Sequence, residues 1–371
     1  MGTPVDAVES RRSPFYAAQA ALGATFMEEA GWVWTNGFGD LDREYRAVRE
    51  DLGVWDVSPL NKWDVRGREA LRAAERLHSN DVRHLKTGQV RYGAFCDEQG
   101  RMIDDGTVFK LEDDHAWLMT NGREHDAHFS EVTRGLNATI EYIGPQLPHL
   151  GLQGPRSREA LAAVCSVDLR RLPYFHFVPG PVRVGGVPCW VSRTGFGGEL
   201  GYELFCRPED APALWDVVVS RCRATPFGVE AIEILRIEAG LVILDYDYEP
   251  HQRTPYDLSF DRFVALGRSD FLGATPLTAI AASPPRRFKT LVLESDQLPE
   301  YGARVSRDGR PIGTLTSPTR SPRFGMIGLA VLDAADAQDG RPVEVAVGER
   351  WVPARVATLP IYDPEKQRPR A

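Results

Sequence analysis

The 371-residue chain is longer than one typical domain and predicts two or three domains, since most domains hold about 100–200 residues. Hydrophobic residues make up 43% and charged residues 26% of the chain, which is typical of a soluble globular protein. The formal net charge is −8 and the sequence has no lysine- or arginine-rich run, so a nucleic-acid-binding surface is not expected. An acidic balance still permits a local basic pocket for a small anionic ligand.

The sequence shows no sign of a membrane span, a secretory signal or a zinc site. It has no run of about 18 apolar residues and no apolar signal core near its start. Asp6 breaks the myristoylation pattern that Gly2 would begin. The cysteines are odd in number and lack zinc-like spacing, so we expect buried, reduced thiols and a cytoplasmic protein. They are Cys96, Cys165, Cys189, Cys206 and Cys222.

Apolar spacing predicts the first elements of the chain. Tyr45, Val48 and Leu52 recur at helical intervals and predict a helix that Gly53 can end, before a strand in "VWDV". A strand, a glycine turn and a helix are predicted next, in "WDVRGREALRAAERLHSNDV". Residues 149–164 repeat that order, and the shared "RGREAL" and "RSREAL" favour two related α+β modules, although strand–glycine–helix is a common pattern.

The second half of the chain begins with the same kind of structure and then changes. Residues 182–206 predict strand, loop and strand, and helices are predicted in "DAPALWDVVVSRCR" and "VEAIEILRIEAGLVIL". From about residue 285, short strands alternate with Gly, Pro and Asp turns. This predicts an all-β terminal domain of barrel or sandwich type, with its boundary in "AASPPRR", residues 281–287.

Three carboxylates stand out in apolar surroundings. Asp104 and Asp105 are adjacent in a predicted strand, so their side chains should point to opposite faces, one toward water and one inward. Glu203 lies between Tyr202 and Leu204 in the strand after a glycine-rich loop, "SRTGFGGELGYEL". Each carboxylate is either part of an ordinary strand end or hairpin, or a buried acid that serves a ligand.

Two further features have alternative interpretations. Arg236 in "EILRIEAG" either pairs with Glu233 or Glu238 on a solvated helix face, or reaches a ligand carbonyl or carboxylate. Residues 244–266, "LDYDYEPHQRTPYDLSFDRFVAL", are rich in Tyr, Phe and Asp without clear periodicity. This segment is either a packed connector or a loop that closes over a site.

Together and in this order, these features resemble the tetrahydrofolate-dependent aminomethyltransferase family, whose founder is the T-protein of the glycine cleavage system. The resemblance covers nearly the whole chain and favours the functional interpretation of each feature. The segments that carry it are "YRAVREDLGVWDVS", "SNDV", "DEQGRMIDD", "LQGPRSREAL", "SRTGFGGELGYEL", "EILRIEAG" and "FLGATPL".

The resemblance implies an α+β fold of three domains arranged like a clover leaf around a central folate-binding hole. Two related α+β modules would come first. One would be discontinuous, made of residues 1–55 and 145–280, and the other would span residues 56–144. A β-barrel-like domain, residues 285–371, would end the chain.

The resemblance also implies a site. Asp105 would be the catalytic carboxylate near the reacting nitrogens of tetrahydrofolate, the co-substrate. Glu203 would grip the pterin ring, with Arg236 beside it. Asn121 and Tyr362 match an asparagine and a C-terminal tyrosine that the family also uses, and we expect both to contact folate.

Two segments depart from the T-protein where the one-carbon donor should bind. The chain has "WDVSPLNKW" in place of "FDVSHM", and residues 244–248 read "LDYDY" where the T-protein carries "GxDMD". These changes disfavour a lipoyl carrier protein as partner and favour a small methylated donor in an aromatic pocket. Aromatic faces suit onium methyl donors and methoxylated rings alike. The expected pocket residues are Trp55, Trp63, Tyr246 and Tyr248.

The leading hypothesis is therefore a folate-dependent demethylase that moves a methyl group from an O-, S- or N-methyl donor to N5 of tetrahydrofolate. The first alternative is a glycine-cleavage aminomethyltransferase that acts on a lipoyl carrier and forms 5,10-methylenetetrahydrofolate and ammonia. The second is a folate-binding regulatory protein without turnover. In either enzyme, Asp105 could act as a base or as an electrostatic stabiliser.

Overall fold

The computed structural model describes residues 10–122, 125–267 and 270–371. Its helices are α1 (Tyr16–Ala21), α2 (Leu41–Glu50), α3 (Ala70–Leu77), α4 (Asp126–Val132), α5 (Ser157–Ala162), α6 (Ala211–Asp216), α7 (Val229–Glu238), α8 (Ala274–Ile280) and α9 (Gln367–Arg370). Its first strands are β1 (Thr25–Glu29), β2 (Trp32–Gly37), β3 (Gly53–Asp56), β4 (Asn61–Arg66), β5 (Val90–Cys96), β6 (Met102–Glu112), β7 (His115–Thr120), β8 (Thr139–Tyr142) and β9 (His149–Gln153). The later strands are β10 (Val182–Val184), β11 (Val187–Ser192), β12 (Gly201–Phe205), β13 (Thr225–Pro226), β14 (Arg286–Leu293), β15 (Ala303–Arg307), β16 (Arg310–Ser321), β17 (Gly325–Asp333), β18 (Pro342–Val347) and β19 (Arg350–Ala357).

The first sheet has six strands in the order β10-β11-β12-β9-β3-β13. Strand β3 is antiparallel to β9 and parallel to β13, so an early segment of the chain is inserted among much later strands. Leu52, Leu150, Tyr202 and Leu204 pack into its apolar core. We propose that this shared sheet corresponds to the discontinuous module expected from the sequence.

The second sheet has five strands in the order β5-β6-β7-β4-β8, all from one continuous stretch of chain. Helices α3 and α4 contact this sheet, and Trp63, Phe95, Leu118 and Phe129 fill its core. Strand β6 lies between β5 and β7 and is therefore an inner strand. The first four residues of β6, Met102–Asp105, are all buried, which matters for the two aspartates on this strand.

The third sheet is a closed barrel with the strand order β14-β17-β16-β15-β18-β19, and β14 pairs with both β17 and β19. Leu291, Val305, Leu315 and Val345 are buried in its core. The α+β class and the C-terminal β-barrel predicted from the sequence are confirmed.

The repeated sequence pattern corresponds to a repeated local structure. Gly67 follows β4 and Gly154 follows β9, and their φ angles of +121° and +132° are unfavourable for any residue with a Cβ. A Cβ at Gly67 would lie 2.4 Å from the Asn137 carbonyl oxygen, and one at Gly154 would lie 2.5 Å from that of Asp51. Both strand-to-helix turns thus need glycine for the same two reasons.

Two local predictions were incomplete. Residues 182–206 hold three strands, because the Gly185–Gly186 turn splits the first one into β10 and β11. The helix expected from residue 210 ends as α6 at Asp216 and continues as a π-helical turn over Val217–Arg221.

The cysteines are free, four of them buried, while Cys165 is half-buried. Within the described ranges, no helix has both the length and the apolarity to cross a bilayer.

Candidate active site

A cavity of about 1120 Å³ is lined by residues from the six-stranded sheet, the five-stranded sheet, the barrel and the two-stranded β1–β2 sheet. This volume is slightly above the usual range for small-molecule sites, about 300–1,000 Å³, and leaves room for two substrates side by side. Five of the residues predicted from the sequence line it: Trp55, Asp105, Asn121, Glu203 and Tyr246. The other four, Trp63, Arg236, Tyr248 and Tyr362, lie behind its walls.

Asp105 is held at the cavity wall by three side chains. The Tyr92 hydroxyl donates to its Oδ2 at 2.7 Å, the Tyr248 hydroxyl donates to its Oδ1, and Asn121 Nδ2 lies 3.3 Å from Oδ1. Burial, followed by the charge of Asp104, raises the pKa of Asp105 to about 7. Such a carboxyl group can accept or release a proton near neutral pH, as a catalytic acid or base must.

Asp104 corrects one expectation, because neither aspartate of the pair faces water. Its relative exposure is 0% and that of Asp105 is 4%. The expected separation of the two side chains is also incomplete, because Asn121 Nδ2 contacts both carboxylates, at 2.9 Å from Asp104 Oδ1 and 3.3 Å from Asp105 Oδ1. Asp104 Oδ2 accepts a hydrogen bond from the Gly122 amide at 2.8 Å and lies 2.7 Å from His125 Nε2. These partners hold the Asp104 side chain in place beside the cavity.

Glu203 projects into the same cavity from β12. The Thr194 hydroxyl donates to its Oε2, whereas its Oε1 accepts no hydrogen bond from any described residue. His149 Nε2 is 3.8 Å from that oxygen. Burial raises the pKa of Glu203, while Thr194 and the Lys62 charge oppose this shift. The free oxygen of Glu203 is thus available to a ligand that offers N–H donors.

Lys62 and His149 do not line the cavity but lie close to Glu203, and sequence analysis missed both. The Lys62 ammonium donates to the carbonyl oxygens of Ser58 at 3.0 Å and Leu60 at 2.7 Å, and burial lowers its pKa to about 7. His149 stacks on Phe205, and burial holds its pKa well below the ordinary value. Lys62 could have been noticed as a lysine within a strand whose other residues are largely buried. Nothing in the sequence distinguished His149.

Arg236, expected beside the pterin, lies on α7 and is not among the residues that line the cavity, although its partner Glu233 is. Its guanidinium is fully buried and donates to Glu233 at 2.8 Å, Asp247 at 2.7 Å and Ser317 at 2.8 Å. Three groups on three segments meet at this one cation. Arg236 therefore positions Glu233, the 244–248 loop and barrel strand β16 around the cavity.

We expect removal of the Arg236 guanidinium to destabilise the protein strongly, because Asp247 would become a buried carboxylate without a cation. Breaking a buried pair costs about 3–5 kcal/mol, and urea denaturation of Arg236→Gln should show a loss of that size. Arg170 has a side chain that is 81% exposed, and Arg170→Gln should change stability by less than about 0.5 kcal/mol. Full stability with lost folate affinity would instead make Arg236 a ligand-binding group.

Trp63 and Tyr362 are also displaced from their expected roles. Trp63 is fully buried, packs edge-on against Phe129 at 5.2 Å and belongs to the core of the second sheet. Because side chains alternate along β4, Lys62 points to the opposite face from Trp63. The Tyr362 hydroxyl donates to Glu199, and the Arg49 guanidinium lies 3.9 Å from its ring centroid. Neither aromatic side chain lines the cavity.

Tyr248 differs from its predicted role as a pocket wall. It is 3% exposed, and its hydroxyl donates a hydrogen bond to Asp105. Tyr248 therefore orients that carboxylate from the 244–248 loop. Trp55 and Tyr246 line the cavity. Tyr92, which the sequence analysis did not single out, holds Asp105 from β5 on the neighbouring strand.

Family models match most of the chain. The GCVT N-terminal domain matches residues 15–268, and the glycine cleavage T-protein C-terminal barrel domain matches residues 286–363. A probable aminomethyltransferase of Halobacterium salinarum is 34% identical over 365 residues, which cover 95% of this chain and 99% of the relative. An aminomethyltransferase of Streptomyces coelicolor is 32% identical over 375 residues, which cover 98% and 100%.

A solved structure, the glycine cleavage system aminomethyltransferase T from Bartonella henselae, has the same fold. Its TM-score is 0.86 at 24% identity, and the match covers 95% of this chain and 98% of that one. The family models and the relatives together span both α+β sheets and the barrel. The chain therefore belongs to the glycine cleavage T-protein family of aminomethyltransferases.

Proposed function

We propose that the protein transfers a one-carbon unit to tetrahydrofolate, with Glu203 binding the pterin ring and Asp105 acting at the reacting nitrogens. The supporting observation is that these two carboxylates, 98 positions apart in the sequence, line one cavity. A pterin presents adjacent N–H donors, and the free oxygen of Glu203 can accept from them. Asp105 has a pKa of about 7 and suits proton transfer at a folate nitrogen.

The comparisons change the order of the candidate donors. The curated relatives cited above are named as aminomethyltransferases, and this favours the glycine-cleavage alternative over the demethylase that the sequence analysis put first. In that reaction, N5 and N10 of folate both bond to the methylene carbon of a lipoyl-bound aminomethyl group. The carbon's bonds to sulfur and nitrogen break, and the dihydrolipoyl thiol and ammonia take up the protons. A lipoyl carrier protein is then the partner.

Demethylation remains the second candidate because the donor side of the cavity is aromatic. Trp34, Trp55, Tyr246 and Tyr301 all line the cavity. Such walls suit a small methylated donor through cation–π or stacking contacts. In this reaction the methyl carbon forms a bond to N5, the bond to the donor heteroatom breaks, and the N5 proton passes to Asp105 or to the leaving group.

Either reaction gains most from holding the two substrates together. A cavity that keeps N5 close to the carbon donor removes up to about 7–11 kcal/mol of the barrier in well-oriented cases. The charge-assisted contact at Glu203 would fix the folate, and the cavity's large volume leaves space for the donor beside it.

Product analysis distinguishes the candidates. The purified protein would be incubated with tetrahydrofolate and either an aminomethylated lipoyl carrier or a panel of O-, S- and N-methyl donors. Methylenetetrahydrofolate and ammonia from the carrier would establish the aminomethyltransferase, and 5-methyltetrahydrofolate from a small donor would establish the demethylase. Folate binding without product from any donor would instead support a regulatory, non-catalytic protein.

A further inference from the structure

Asp104 is a fully buried carboxyl group directly behind the cavity wall. It does not line the cavity itself, whereas Asp105, Asn121 and Gly122 do. Its Oδ1 accepts hydrogen bonds from the Asp105 amide at 2.7 Å and from Asn121 Nδ2 at 2.9 Å. Its Oδ2 accepts from the Gly122 amide at 2.8 Å and lies 2.7 Å from His125 Nε2. Asp104 thus connects three residues of the cavity wall with one histidine outside it.

The ring of His125 is held in one orientation by its neighbours. His125 is buried just before the first residue of α4, stacks on Phe129 with centroids 5.4 Å apart, and lies 6.0 Å from the Trp63 ring. On the cavity side, a Cβ added to Gly122 would lie 3.2 Å from His125 Nε2, so the ring is close to this backbone as well. The packing therefore directs Nε2 at Asp104 before any ligand binds.

One side-chain amide links the two aspartates. Asn121 Nδ2 lies 2.9 Å from Asp104 Oδ1, 3.1 Å from the Asp105 backbone oxygen and 3.3 Å from Asp105 Oδ1. An amide nitrogen carries two hydrogens, so three acceptors share two donors. The position of the Asp104 carboxyl group therefore determines how the Asn121 amide holds the carboxyl group of Asp105.

Asp104 also acts on Asp105 through its charge. Burial and then the charge of Asp104 raise the pKa of Asp105 to about 7. Among the described residues, His125 is the one side chain that can carry a positive charge and lies within hydrogen-bond distance of an Asp104 oxygen. The other titratable groups that face these three side chains are Tyr92, Tyr248, Asp245, Asp247 and His128.

We infer that His125 is a positioning residue that acts on Asp105 through Asp104. This inference rests on the proposed function, because it concerns the carboxyl group that we assign to the reacting nitrogens. His125 does not line the cavity and takes no part in bond making. Its N–H holds one oxygen of Asp104, which leaves the other oxygen to hold the Asn121 amide beside Asp105. A buried carboxylate that loses a donor takes up a proton more readily, so loss of this N–H weakens the repulsion between the two aspartates.

Substitutions at residue 125 of the full chain test the N–H donor separately from the fold. His125→Leu removes the donor and should lower the single-turnover rate about 10-fold, with tetrahydrofolate affinity within about threefold of the wild type. His125→Asn gives the same expectation, because asparagine suits the start of a helix but is too short to reach Asp104. His125→Gln keeps an N–H donor at a similar reach and should restore the rate to within about threefold of the wild type.

His128→Leu is the matched control. His128 is half-buried on the same helix and makes no hydrogen bond to Asp104, so this variant should turn over as the wild type does. A purely structural role of His125 would change rate and folate affinity together and would not be rescued by glutamine. Either of those two results would overturn the inference.

A second measurement follows Asp105 directly and needs no substrate. The protein is labelled with ¹³C at the aspartate carboxyl carbons, and the Asp105 signal is assigned by its loss in Asp105→Asn. The titration midpoint of this signal in the wild type is the pKa of Asp105, about 7. The midpoint should fall by at least about one pH unit in Asp104→Asn, because a neighbouring like charge is removed. It should fall by about half a unit or more in His125→Leu and stay within about 0.3 unit in His125→Gln.

The two measurements separate this inference from the proposed function. Midpoints that fall as expected, in a protein that forms no product from any donor, would support the action of His125 on Asp105 while refuting the proposed function. Wild-type turnover that depends on Asp105, with His125→Leu and His125→Asn unaltered in rate and midpoint, would overturn the inference alone. A midpoint that rises in His125→Leu would also overturn it, since His125 would then act by its own charge and not by holding Asp104.

Discussion

Asp105→Asn is expected to lower turnover by about 10²–10⁴-fold while leaving tetrahydrofolate affinity within about threefold of the wild type. Asparagine has nearly the same shape and can keep hydrogen bonds to Tyr92 and Tyr248, but it cannot take up a proton or stabilise positive charge. The measurement is single-turnover product formation beside a folate titration. Asp113→Asn, at an aspartate whose side chain is 95% exposed, is the matched control and should behave as the wild type.

The pH dependence of the same variant gives an independent readout. With a pKa of about 7, Asp105 is mostly protonated at pH 6 and mostly ionised at pH 8, so wild-type turnover should rise across this interval. Its folded pKa lies above the ordinary value, so this group's contribution to stability falls as pH rises from about 4 to about 7. Asp105→Asn should lack both dependences. A wild-type rate that is flat between pH 6 and 8 would contradict the role of Asp105.

Glu203→Gln is expected to weaken tetrahydrofolate binding by about 10- to 100-fold, the loss that follows when a charge-assisted hydrogen bond becomes a neutral one. Glutamine retains the shape of the side chain and its contact with Thr194, so the fold should persist. Calorimetry or tryptophan fluorescence with 5-formyltetrahydrofolate measures the change. Glu209 is exposed beyond the end of the same strand, and Glu209→Gln should bind folate as the wild type does.

Unchanged folate affinity in Glu203→Gln would contradict the proposal that Glu203 binds the pterin ring. The contrast with Arg236→Gln strengthens the test, because that variant should lose stability first and affinity only as a consequence. A pattern in which Glu203 affects stability and Arg236 affects binding would reverse the roles assigned to them.

Local sequence patterns predicted elements whose determinants lie close together in the chain. The helices α2 and α7 and the strand–glycine–helix units follow from apolar spacing and from glycine turns, and the structure contains each of them. The barrel followed from short strands separated by turn residues. The order of the motifs along the chain identified the family, which no single motif could specify.

The sequence could not predict which side chains of a helix or strand line the cavity and which pack into the core. Trp63 was expected to line the donor pocket, but it packs against Phe129 of α4 in the core. The hydrogen bonds from Arg236 to Asp247 and Ser317 could not be predicted from the local sequence. Contacts between residues far apart in the chain depend on the tertiary arrangement, which local patterns do not contain.

The expected donor was also drawn from local changes. Substitutions around residues 59–63 and 244–248 suggested a demethylase, whereas the names of full-length relatives favour aminomethyl transfer. The structure gives one reason why the sequence-based hypothesis and the relatives' names differ. Tyr248 donates to Asp105 and Trp63 is buried in the core, so two of the four aromatic residues expected in the donor pocket do not line the cavity.

The central proposal is that one cavity holds the folate with its pterin on Glu203 and its reacting nitrogens toward Asp105. A crystal structure of the protein with bound 5-formyltetrahydrofolate tests it most directly. We expect the pterin N–H groups within hydrogen-bond distance of the Glu203 carboxylate and N5 on the side of the cavity that Asp105 lines. A pterin bound outside this cavity, or one that contacts neither carboxylate, would contradict the proposal.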